Sequence, residues 1–199
     1  MLELTKGASV PQNEMLSEQY DISETLITAN VDAGKIKEVF QHFICMQEND
    51  LFFILELPVS SDVEAELRKA DTDPMHKDIY YMDFLSKEEA LTILIRYGEL
   101  LINDGISRFG YGVHDNSAEI MRDKYNVITL WSNCMEKYTG FFEEHGIRRV
   151  EECFTAWDIF SNETPGTSSR IEIDGISVFD LPEKLKEWGL YLYEQTEDC

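Results

Sequence analysis

The chain has 199 residues, of which 39 are acidic and 17 basic, giving a net charge of −22, with 43% hydrophobic and 12% aromatic residues. That apolar content supports a packed core and excludes wholesale disorder, and the length suits one domain or at most two small ones. A field of this sign repels nucleic acid and anionic membrane surfaces, which need Lys and Arg, and favours a basic protein partner steered in by long-range attraction; the plainer alternative is that the acidity only keeps the protein in solution.

In chain order, residues 1–22 read as a weakly ordered lead-in to a single domain over 23–199, because Gly7, Pro11, Asn13 and several acids break any period. The β-branched content of 25–30 predicts a short strand. Asp32 is a good N-cap, and Ile36, Val39, Phe40, Phe43 and Ile44 recur at helical spacing, so a helix is expected over 33–46. Glu48-Asn49-Asp50 is a turn, and 51–57 a buried strand closed by Pro58. Ser60 or Ser61 caps a short acidic helix reaching Lys69, Asp71-Thr72-Asp73-Pro74 carries turn chemistry, and 79–85 reads as another strand.

Ser86-Lys87-Glu88-Glu89 fits a capping box. The helix after it carries the stripe Ala90, Leu91, Leu94, Tyr97 and Leu101, broadened by Ile93, Ile95, Leu100 and Ile102, and so packs on more than one side. Asn103-Asp104-Gly105 stops it, with Gly105 free to form a left-handed cap. Strands are expected over 106–113 and, as one or two, over 120–131. A helix from Ser132 or Asn133 to Glu144 should end at Gly146. Residues 150–160 read as a strand region and 162–166 as a loop. Asp174-Gly175 joins 170–173 to 176–179 as a hairpin. Asp180 caps a last helix with the stripe Leu185, Trp188 and Leu192, flanked by Tyr191 and Tyr193. The sum is an α+β fold: about four helices on one mixed or mostly antiparallel sheet of about eight strands. Strand order and oligomeric state are not legible. Ser86 and Ser132 each open a segment that ends in Gly-Ile-x-Arg, an echo that a duplicated β-α-β unit would produce; caps that look alike everywhere are the competing explanation.

No apolar run approaches the roughly 20 residues of a membrane span: Leu51-Phe52-Phe53-Ile54-Leu55 is closed by Glu56, and 91–101 is interrupted by Thr92, Arg96 and Glu99. The opening residues have no basic segment followed by an apolar one, so a cytoplasmic location and reduced thiols are expected, and the Asn162-Glu163-Thr164 sequon is read as chance. Cys45, Cys134, Cys153 and Cys199 form no C-x-x-C pair; Cys45 and Cys153 sit among apolar neighbours and are expected in the core.

Strong catalytic signatures are absent. Residues 29–36 have the outline of a phosphate loop but hold Ala29 where the first Gly belongs and Ile36 where a Ser or Thr must bind magnesium. Gly110-Tyr111-Gly112 is followed by Asp115 where a dinucleotide fingerprint needs a small residue. No zinc spacing, calcium loop, G-x-S-x-G or H-E-x-x-H occurs. No catalytic residue, cofactor or metal is assigned.

Three readings compete. The first is an acidic cytosolic module that docks or neutralises a basic protein, as an immunity protein does a bacterial toxin, an analogy of type rather than of residues. Its binding surface is sought in the acid-rich last 49 residues: Glu151, Glu152, Asp158, Glu163, Glu172 and Asp174, with Trp157 and Tyr191 as aromatic anchors. The second is an enzyme or small-ligand binder with a pocket at Arg108, Tyr111, His114 and Asp115, where His114 beside Asp115 forms an oriented base; against it stands a glycine-rich strand followed by a polar turn. The third is a nucleic-acid mimic. Trp157 and Phe160 also have a structural reading as core aromatics, with Asp158 paired to Arg148 or Arg149, and His42, His76 and His145 have structural explanations.

Overall fold

The run Leu51-Phe52-Phe53-Ile54-Leu55 forms the strand around which the fold is built, in a computed structural model that describes residues 2–68, 70 and 73–198. The elements are β1 (Ala8–Ser9), β2 (Gln19–Ser23), β3 (Leu26–Asn30), α1 (Ile36–Met46), β4 (Leu51–Pro58), α2 (Ser61–Leu67), β5 (His76–Leu85), α3 (Lys87–Asn103), β6 (Arg108–Val113), β7 (Ala118–Arg122), β8 (Val127–Ser132), β9 (Arg148–Arg149), β10 (Thr167–Ser168), α4 (Leu181–Leu185) and β11 (Tyr191–Glu197). Nine strands form one sheet in the order β11-β5-β4-β6-β7-β8-β3-β2-β9, and β1 pairs with β10 apart from it. Within the large sheet only β2 and β9 run parallel. The fold is therefore α+β, with a mixed and mostly antiparallel sheet and four α-helices among the described residues.

Alternation decides which face is covered. Leu51, Phe53, Leu55 and Leu57 of β4, Phe109, Tyr111 and Val113 of β6, and Ile128 and Leu130 of β8 join one core with Phe40 and Phe43 of α1, Leu94 and Leu101 of α3, and Leu181 and Leu185 of α4. Truncating one of the buried rings, Phe53→Ala for instance, costs about 3–5 kcal/mol. Residues pointing the other way, Phe52, Ile54, Tyr81, Glu119, Met121 and Trp131 among them, receive none of the buried side chains of α1, α3 or α4. Gly110 and Gly112 lie on this second face. A Cβ at Gly112 would meet the ring of Phe52, its partner on β4, and one at Gly110 would meet the side chain of Met121. Both glycines are thus explained by close packing of neighbouring side chains within the sheet.

Several expectations change. The lead-in has no period, yet Leu2, Val10 and Leu16 are buried. It is held by bonds to residues far along the chain: Thr5 N–H donates to Asn126 Oδ1 at 2.9 Å, and Gly7 N–H to the Asn103 carbonyl at 2.8 Å. Gly105 is not a left-handed cap; it is small because the Gly7 backbone passes over it. Residues 132–146 form two 3-10 turns in place of a helix. Ser132 Oγ is engaged with the Ser117 carbonyl, and Tyr138, Phe141 and Phe142 turn inward around Gly140 at φ 81°. The second copy of the proposed repeat therefore has no α-helix, while β5-α3-β6 is a true crossover with β4 between its strands. Residues 150–160 hold no strand: Asp158 caps a 3-10 turn by accepting from Thr155 N–H at 2.7 Å and forms no ion pair with Arg148 or Arg149. The 173–176 turn forms, with Asp174 at φ 52°, but only an isolated bridge flanks it. The last helix stops at Gly189, φ 101°, and Tyr191, Leu192 and Tyr193 belong to an edge strand. Cys153 is buried as expected, but Cys45 is exposed. Lys69, Asp71, Thr72 and Cys199, which carry the expected end of the second helix, most of the 71–74 turn and the terminal cysteine, lie outside the described residues.

Candidate functional site

A bulge in β5 creates the most unusual surface. Phe53 pairs with Met82 and Leu51 with Leu85, so β5 holds one residue more than β4 across that span. Phe84 takes up the extra residue in the left-handed region, at φ 56°, a conformation costly for a bulky side chain. Leu85 then fills the core position and Phe84 swings out, 72% exposed. Its ring lies flat on His114, centroids 4.0 Å apart and planes 11° apart.

Asp83, beside the bulge, links two strands to this stack. Tyr191 of β11 donates its hydroxyl to Asp83 Oδ2 at 2.6 Å, and His114 Nε2 lies 3.5 Å from Asp83 Oδ1. That carboxylate pushes the Tyr191 hydroxyl up to about 12. Next along the face, Tyr81 packs between Phe52, at 5.5 Å, and Tyr193, at 5.0 Å, and Tyr193 is 63% exposed. Burial raises the Tyr81 hydroxyl above its ordinary value, and so do the nearby Glu119, Tyr193, Glu56 and Asp83.

Glu119 of β7 completes the surface. Burial and then the charge of Glu56 push its carboxyl above the usual range. No hydrogen bond or ion pair joins this carboxylate to another group among the described residues. An anion that is partly desolvated, unpaired and flanked by aromatic rings is suited to receive a cation from outside.

The structure brings together one residue from each candidate set, Tyr191 and His114, around Asp83. It separates the others. Tyr111 is inside the core, its hydroxyl donating to the Ala90 carbonyl at 3.2 Å. Asp115 shapes an exposed turn, accepting from Ser117 N–H at 2.9 Å and Asn49 Nδ2 at 2.7 Å. Arg108 begins β6, five residues before Val113 ends it, or ~17 Å along the strand, and there binds Asp123 at 2.6 Å, Asp198 at 2.7 Å and Glu56 at 3.3 Å.

The eight candidate partner-binding residues do not form one patch. Glu151 and Glu152 are exposed just beyond β9, at one edge of the sheet, and Tyr191 lies on β11 at the other. Eight strand spacings separate these edges, ~38 Å. Trp157, 47% exposed, packs edge-on against Tyr125 and Phe160 at 5.1 and 5.5 Å, with Asp158 beside it and Glu163 in the exposed loop that follows. Glu172 pairs with Arg170 at 3.4 Å, and Asp174 tips its turn.

Sequence reasoning missed Asp83, Phe84 and Glu119. Alternation alone assigns Phe84 to the core beside Met82, and only the bulge reverses it. Among the described residues no group of three or more metal-ligating side chains is placed to hold an ion. The chain has no significant match among family models, curated proteins or solved structures.

Proposed function

We propose that this protein is an acidic binding module that docks a basic protein partner, in the manner of an immunity protein neutralising a toxin, and that it does so through the Phe84–His114–Tyr81–Tyr193 face. The observation that carries the reading is Glu119, a carboxylate without a partner in an aromatic surround. Exposed rings supply anchors and Asp83 and Glu119 the complementary charge, the usual anatomy of an energetic centre in an interface. A basic side chain entering beside Glu119 relieves both its desolvation and its repulsion from Glu56. Nucleic acid and anionic membrane are poor partners for the same carboxylates. No observation favours the pocket over 108–115 or the nucleic-acid mimic.

Wild-type protein and the variants Phe84→Ser and Glu119→Gln, each with native circular dichroism, serve as baits in a lysate of the source cell at low salt. The expected result is one basic protein retained by the wild type, released by a salt gradient and at least tenfold depleted on both variants. Equal retention by all three baits, or no basic protein retained, contradicts the reading.

A further inference from the structure

The helix side of the molecule carries a cleft of about 530 Å³ whose lining contradicts the overall charge. Three cations line it: Lys37 from α1, Arg96 from α3 and Lys184 from α4. Lys6, Lys35, Lys77, Arg108, Lys124, Arg170 and Lys186 each pair with a carboxylate, and Lys87, Lys137 and Arg122 bond to neutral oxygens. No ion pair joins Lys37, Arg96 or Lys184 to a carboxylate among the described residues. The bonds from Ser177 hold the Asp180 carboxyl below its usual value, and the charge of Lys184 adds to them without an ion pair. Two acids share the lining: Glu99 is taken up by Lys6 at 3.3 Å, and Asp174 sits on the tip of its turn.

The cleft also has an apolar side. Ile95, Ile173 and Ile176 line it, with Tyr97, over whose ring the Arg96 guanidinium lies at 5.7 Å. Its volume falls within the range of small-ligand sites, about 300–1,000 Å³. Three cations against two carboxylates leave the lining with a net positive charge that favours an anion. The carboxylates elsewhere slow an anion's approach, but within the cleft it meets the three cations directly, and exposed charges more than about 8 Å away are largely screened at physiological salt.

We propose that this cleft binds a phosphate monoester carrying a small apolar body. Lys37, Arg96 and Lys184 meet the dianion, which guanidinium and ammonium groups bind with short charge-assisted hydrogen bonds. The isoleucines and Tyr97 cover the ester group. The site is independent of the docking face, which lies on the other side of the sheet.

The test titrates the full chain with phenyl phosphate, inorganic phosphate and phenol at constant ionic strength, followed by calorimetry and by amide chemical shifts. The expected result is saturable binding of phenyl phosphate at least tenfold tighter than that of either fragment, with shifts at Arg96, Tyr97, Ile173 and Ile176. The double variant Arg96→Gln, Lys184→Gln changes two exposed side chains; it should keep the wild-type melting temperature and lose at least tenfold in affinity. Absence of saturable binding, inorganic phosphate binding as tightly as the ester, or unchanged affinity in the double variant overturns the proposal.

Discussion

Glu119 has a measurable consequence for stability at the scale of a single residue. Burial and Glu56 raise its carboxyl in the folded state. Below the ordinary Glu value, about 4.3, the group is protonated in both states and carries no penalty; as pH rises through its higher folded value, the folded protein must hold a desolvated charge that the unfolded chain leaves in water. Glu119→Gln is therefore expected to raise the melting temperature at pH 7, with the gain shrinking toward pH 4. A variant less stable than wild type at pH 7 would mean that an unseen partner already satisfies the carboxylate. Stabilisation on removing a charge, together with loss of partner binding, is the signature of a residue kept for function. The sequence places Glu119 near a strand but says nothing of its burial. The same limit holds for Phe84, whose exposure depends on a bulge, and for Arg122, which is wholly buried, donating to the Ser107 carbonyl at 2.8 Å with its pKa lowered to about 10 by burial.

Elements with a strong period were legible. Helix α1 follows its apolar stripe, α3 has the capping box that Ser86 and Glu89 announce, and β4 is the apolar run closed by Pro58. Where structure depends on long-range bonds, the period misleads. Leu185, Trp188 and Leu192 have helical spacing, but Gly189 ends the helix and β5 recruits the next residues as strand β11. A charge clamp then fixes the end of that strand: Arg108 holds Asp198 at 2.7 Å, and Lys77 lies 3.9 Å from the same carboxylate. Burial alone would raise the Asp198 carboxyl, but the bond to Arg108 and the charges of Arg108, Lys124 and Lys77 outweigh it and hold it below the ordinary range. The clamp is fully formed above the usual Asp value, about 3.9, and is lost as pH falls through the lower folded value. Arg108→Gln should speed amide exchange across 191–197 at pH 7 while leaving α3 protected; unchanged exchange there would show that the backbone ladder alone holds the strand.

A second element-scale device joins α1 to the turn at 143–145. His42 Nδ1 and His145 Nε2 lie 3.0 Å apart, with Glu144 at 3.8 Å from His42. Burial, then the charge of His42, lowers the His145 pKa, outweighing the opposing pull of Glu38 and Glu144. A base with a depressed folded pKa loses stability as pH falls below the unfolded value, about 6.5. His145→Asn should flatten the decline in melting temperature between about pH 6.5 and 5, and an unchanged slope would exclude this pair as its source.

For the whole molecule, the α+β class was legible from composition and alternation, whereas the strand order was not, because pairing between β4 and β6 or β3 and β8 is set by distant contacts rather than local pattern. Among the described residues no helix is long and apolar enough to cross a membrane. On the proposed reading the net charge of −22 acts at this scale too: it would steer a basic partner from a distance, and the rings around Glu119 would hold it on contact. The two contributions separate in kinetics, charge acting on the association rate and buried anchors on dissociation. The most direct measurement is the association rate of the captured partner as ionic strength is raised from about 20 to 500 mM, for wild type and for Phe84→Ser. The account predicts a fall of at least tenfold in both proteins, with dissociation faster only in the variant. An association rate indifferent to salt, or a variant that dissociates like the wild type, would contradict it.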